Sequence, residues 1–124
     1  MWYPTKKATN KSFDSDGNAY TQRDIDRKRS EAYRDKYQTN PVFFCEGCGG
    51  RAQCSAHIVP QSRCKKLGKT ELIWSHDNIF PSCNRCNDIA ENVSSEAITK
   101  LRNYQRIKEF LQKHDPERAS KLLL

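Results

Sequence analysis

Two cysteine pairs at the same spacing dominate what this chain can become: Cys45-Glu-Gly-Cys48, followed at once by Gly49 and Gly50, and Cys83-Asn-Arg-Cys86, with 34 residues between the pairs. Two residues between ligands let a tight turn present both sulfurs to one tetrahedral ion at about 2.3 Å, and small glycines permit the positive φ values such a turn needs. The spacing therefore predicts one structural zinc ion held by Cys45, Cys48, Cys83 and Cys86. A closed site of four protein ligands holds the fold and leaves no position for catalysis. Two local disulfides or a redox dithiol are the competing readings of the same spacing. A staple is needed in any case, because Leu, Ile, Val and Phe together make up only 22 of 124 residues, below the rough 20% at which charged chains lose a self-sufficient core. Cys54 and Cys64 have no partner at this spacing and read as small buried apolar residues.

Around this centre the chain divides into four stretches. Residues 1–20 show no periodicity and read as a flexible N-terminal arm. Thr21 and Asp24 form a capping-box pattern that opens a basic helix over residues 21–40, with Ile25, Ala32, Tyr33 and Tyr37 on one stripe and interleaved charges on the others. Residues 41–93 carry all six cysteines and form the functional block. Residues 94–124 read as C-terminal helices: one capped by Ser94–Ser95 with Ile98, Leu101, Tyr104, Ile107, Phe110 and Leu111 at three- and four-residue intervals, and a last one with Asp115 as N-cap and Pro116 at its first position. Leu122–Leu124 would dock on the domain or on a partner. There is no 18-residue apolar run and no signal-type stretch, so the expectation is a soluble cytoplasmic protein without membrane contact; its size and self-contained layout suggest a bacterial cell or phage-infected host. Lys and Arg outnumber Asp and Glu by 22 to 15, a formal charge of +7. Four thiolates around one zinc bring this to about +5, which suits a polyanionic partner.

Between the pairs, Ala52–Val59 reads as a strand ending near Pro60, Asp77–Phe80 as a second strand, and Asn84 to about Asn92 as a helix starting at the zinc ligands. His76 and Asp77 read as loop-surface and turn residues. The run His57-Ile-Val-Pro60, then Asn78, then Cys83-x-x-Cys86-Asn87 resembles the HNH nuclease family over about residues 43–93. The resemblance implies an α+β fold: a small zinc-stabilised ββα-metal core with flanking N- and C-terminal helices. It implies a DNA endonuclease or nickase that hydrolyses phosphodiester bonds to 5′-phosphate and 3′-hydroxyl ends. In that scheme His57 is the general base, Asn78 orients it, and Asn87 binds a catalytic Mg2+ or Mn2+, an amide oxygen being a good hard ligand. The chain departs from the family at Ala56, where a second metal ligand is common and a methyl group cannot coordinate. Arg63, Lys65, Lys66 and Lys69, in the loop between the strands, and Arg85, within the second cysteine pair, are the expected phosphate contacts to double-stranded DNA. Two other readings stay open: an HNH-like zinc module that binds nucleic acid without cutting, and a protein-interaction zinc domain. The C-terminal helices could also carry a homodimer or a protein partner.

Overall fold

The capping box at the head of the first helix forms as the sequence predicts: Asp24 N–H donates to Thr21 Oγ1 at 3.2 Å, and Thr21 N–H donates back to Asp24 Oδ2 at 3.0 Å. The computed structural model describes residues 11–38, 43–92, 95–122 and 124. Its elements are β1 (Ser12–Phe13), β2 (Ala19–Tyr20), α1 (Gln22–Gln38), β3 (Cys54–His57), α2 (Gln61–Lys66), β4 (Ile79–Ser82), α3 (Asn84–Asn92), α4 (Ser95–Thr99), α5 (Tyr104–His114) and α6 (Pro116–Lys121), with 3-10 turns at Thr70–Trp74 and His76–Asn78. The protein is a mixed α+β chain with two small antiparallel sheets, β1 with β2 and β3 with β4. No helix among the described residues is long and apolar enough to cross a membrane.

The strand–loop–strand–helix order expected around the cysteine pairs is present, but the first strand is shorter than Ala52–Val59 and the second starts two residues later than Asp77, because His76–Asn78 forms a 3-10 turn. β3 and β4 pair antiparallel with Cys54 opposite Ser82 and His57 opposite Ile79, and α3 packs against β3. The pairing puts the end of β3, where His57 sits, beside the start of β4, just after Asn78. Ile25, Ala56, Ile58, Val59, Ile73 and Phe80 are buried around the hairpin, and Ile98, Ile107 and Leu111 extend the same core towards the C-terminal helices.

Three other elements differ from expectation. The N-terminal arm is not unstructured throughout. Residues 1–10, like residues 39–42, lie outside the described residues, but β1 and β2 form a hairpin in which Asp14 Oδ1 accepts from the N–H groups of Asp16 and Asn18 and Gly17 takes φ 86°. This hairpin is tied to the domain through Thr70 Oγ1, which donates to Phe13 O at 2.8 Å. The basic loop is in part a helix, α2. The single helix expected after Ser94 is two, α4 and α5, because Arg102 N–H leaves the helical ladder and donates to Gly47 O at 2.8 Å in the first cysteine turn. Ser94 itself is outside the described residues. The Asp115 cap forms, accepting from Arg118 N–H at 3.3 Å, and Leu122 and Leu124 pack against the core.

Candidate functional site

The first cysteine pair sits in a turn closed by Gly49 N–H to Cys45 O at 2.8 Å and Cys45 N–H to Gly50 O at 2.6 Å. Gly49 has φ 79°, a conformation that favours glycine, and the guanidinium of Arg102 lies where a Cβ would stand. The second pair brackets the start of α3, with Cys83 just before the helix and Cys86 in its first turn. The two turns are brought together by Glu46 N–H to Pro81 O at 2.9 Å and Gln53 N–H to Ser82 O at 2.8 Å. The four sulfurs of Cys45, Cys48, Cys83 and Cys86 lie within 4.8 Å of one another. Tetrahedral zinc with bonds of about 2.3 Å requires sulfur–sulfur separations of about 3.8 Å, and Cys48 and Cys83 are 3.8 Å apart. Burial opposes ionising Cys45, but the N–H of Cys83 across the cluster, those of Cys48 and Gly47 in its own turn, and the Cys86 thiol outweigh this and hold its thiol at about 6, whereas burial and the neighbouring thiols push Cys86 up. The donor set fits a closed four-thiolate site for an ion such as zinc. The other two cysteines differ: Cys64 is fully buried with its thiol pushed up to about 12 by burial, and Cys54 is half-buried.

His57 ends β3 and is 3% exposed. Its Nε2 lies 2.9 Å from the carbonyl oxygen of Ile73. A carbonyl only accepts, so Nε2 carries the proton and Nδ1 keeps its lone pair. The ring of Tyr33, on α1, stands 6.2 Å from the imidazole. Burial lowers the pKa of His57, the Ile73 carbonyl raises it, and the charge of Arg29 lowers it further, with a net shift below 6.5.

Asn78 is fully buried, and its amide is spent on backbone. Oδ1 accepts from Val59 N–H at 2.7 Å, and Nδ2 donates to Val59 O at 3.1 Å and Leu72 O at 2.9 Å. It therefore pins the chain two residues beyond His57 and does not touch the imidazole, whose partner is Ile73. Asn87 follows Cys86 on α3. Its Oδ1 is buried with no hydrogen-bond partner, and no hydrogen bond joins it to His57 or Asn78 among the described residues. Ala56, fully buried, supplies no donor.

The expected phosphate contacts separate. Arg63 forks onto Asp115 at 2.9 and 3.0 Å and reaches Glu117 at 3.4 Å, Lys65 donates to Gln22 Oε1 at 2.5 Å, and Lys69 donates to His114 O at 2.8 Å. These three side chains join elements of the fold. Lys66 and Arg85 are exposed. His76 and Asp77 are exposed, and each contributes a backbone carbonyl, His76 to Lys36 at 2.6 Å and Asp77 to Arg106 at 2.6 Å. Residues that no spacing rule marks complete the frame. Glu46, inside the first cysteine pair, accepts from Arg106 at 2.8 Å and from Asn103 at 2.9 Å, and Lys36 Nζ also donates to Ile79 O at the start of β4. Compared with known proteins, the chain matches no family model, no curated protein and no solved structure.

Proposed function

We propose that this protein is a metal-dependent nuclease of the HNH kind that nicks DNA. The observation that carries the reading is the bond from His57 Nε2 to the Ile73 carbonyl at 2.9 Å. It fixes the tautomer in which Nδ1 is the free acceptor, and burial keeps the imidazole neutral near pH 7, the form a general base requires. Two features support it. Asn78 fixes the backbone that leaves His57, and the unpartnered Oδ1 of Asn87 is a hard donor suited to Mg2+ or Mn2+. A divalent ion bound there would neutralise charge developing on the phosphate and the leaving oxygen. His57 Nδ1 takes the proton from the attacking water, Asn78 holds the turn that aims it, and the thiolate site ties α3 to the hairpin. The expected products have 5′-phosphate and 3′-hydroxyl ends.

A second reading has its own observations. His57 is enclosed beside Tyr33 and Ala56 gives no ligand, which favours a module that holds nucleic acid without cutting. Plasmid nicking with added Mg2+ or Mn2+ decides between them. The nuclease reading expects nicking by the wild type and its loss in His57→Ala and Asn87→Ala. Equal nicking by His57→Ala removes the histidine from the chemistry, and binding with no nicking under either ion establishes the second reading.

A further inference from the structure

The basic side chains of α2 are mostly consumed inside the protein, while a separate group on the metal-site side is not. Beside the cysteine turns lies a groove of about 540 Å³ whose walls include Arg85 from α3, Lys100 from the turn after α4, and Arg102 from the segment that docks on Gly47. Arg85, Lys100 and Arg102 are all exposed. No hydrogen bond or ion pair joins the Arg85 or Arg102 side chain to another described residue. Lys100 has an exposed pairing with Glu96 at 3.8 Å, the one acid among the described residues of the groove. The backbone of Arg102 is fastened to the first cysteine turn, its N–H donating to Gly47 O, and its guanidinium lies over Gly49.

We propose that this groove, and not the stretch Arg63–Lys69, is the track for the phosphate backbone of nucleic acid. The inference rests on the nucleic-acid reading above and deepens it. Unpaired guanidinium forks match phosphate oxygens bidentately, and an open groove suits a continuous strand better than a small anion. Arg85 and Asn87 are two residues apart on α3, so they project about 200° from one another around the helix. The groove therefore receives phosphates flanking the one addressed by Asn87, on the other side of α3. An ion held by four thiolates would leave negative charge at the groove floor, so the arginines have a competing role as its counter-charge, and the test must separate the two.

Binding of a short fluorescent DNA duplex is followed by anisotropy across a salt series, without added divalent ion, for the wild type, Arg85→Gln, Arg102→Gln, the double variant and Lys65→Gln, with zinc content measured on each. Each arginine replaced should weaken binding by about eightfold at 0.1 M salt and reduce the slope of log K against log salt by about 0.9. Lys65→Gln should leave the slope unchanged. Arg85→Lys and Arg102→Lys, which keep the charge, should preserve it. A wild-type slope in the double variant overturns the proposal, as does loss of binding that follows loss of zinc, which assigns the arginines to the thiolates. Nicking is scored separately on plasmid. Absence of nicking with the expected slope changes defeats the nuclease reading alone, whereas nicking with unchanged slopes defeats the groove alone.

Discussion

Replacing Asn78 by alanine tests whether this residue serves the backbone or the imidazole. The substitution removes the acceptor of Val59 N–H, at 2.7 Å, which has no other among the described residues, and one donor each from Val59 O and Leu72 O. Those two carbonyls are not abandoned: Val59 O keeps the Cys64 thiol at 3.4 Å, and Leu72 O keeps Ser75 N–H at 3.3 Å. Val59 is fully buried, so water cannot replace the lost acceptor. An orphaned buried N–H costs about 1–3 kcal/mol and each weakened carbonyl about 1 kcal/mol, for a total of about 3–5 kcal/mol. That is a large part of the roughly 5–15 kcal/mol by which a domain is stable. Urea unfolding of the zinc-loaded protein, followed by circular dichroism, should show the midpoint falling by about 2 M. Whatever nicking survives should keep the wild-type pH profile, because the imidazole is held by Ile73. A stability loss below about 1 kcal/mol, or intact stability with a displaced pH profile, would refute this account and return Asn78 to the role of orienting the base.

Three further outcomes are expected. Elemental analysis should find one zinc per chain, and chelation or Cys48→Ser should melt the β3–β4 hairpin and α3 together, since all four sulfurs meet where these turns join; an unchanged spectrum after metal removal contradicts the site. Burial holds the His57 imidazole below its usual 6.5, so nicking should rise with pH through a midpoint under 6.5; a midpoint above 7 points to another base. Arg63→Ala should cost about 2 kcal/mol near pH 7, a hydrogen bond to a charged group being worth about 1.5–3 kcal/mol. Although burial alone would raise the Asp115 carboxyl, the Arg63 fork and Arg118 N–H hold it below 3.8. The contribution of this pair is therefore complete above that value and lost as pH falls through the folded pKa, so the wild type should lose stability in acid more steeply than the variant. Parallel acid profiles would show the pair to be energetically idle.

What was legible in the sequence followed from local chemistry. The capping box, the Asp115–Pro116 start of α6 and the run of strand, strand and helix between the cysteine pairs each depend on residues a few positions apart. A local signal for the hairpin over residues 12–20 was present too, in Asp14-Ser-Asp-Gly17-Asn, where an acid caps its own turn and glycine takes the positive φ. The absence of apolar periodicity hid it, because two-residue strands are too short to show alternation. The break between α4 and α5 was not legible. Ile98, Leu101, Tyr104 and Ile107 keep helical spacing straight through it, and only a distant carbonyl, Gly47 O, draws Arg102 N–H out of register.

The site divides in the same way. The sequence by itself determined the four-sulfur cluster, because paired ligands two residues apart leave a chain little choice once an ion is bound, and His57, Asn78 and Asn87 were singled out through the resemblance to the HNH family. Only the tertiary structure decided what each does with its polar atoms: Nε2 of His57 to Ile73 O, the Asn78 amide to Val59 and Leu72, and the Asn87 oxygen left unpartnered. Tertiary packing also sorted the cations, placing Arg63, Lys65 and Lys69 against Asp115, Gln22 and the His114 carbonyl while leaving Arg85 and Arg102 in the groove. A charge in sequence carries no record of its partner, since the partner is supplied by whichever distant segment the core brings within about 3 Å.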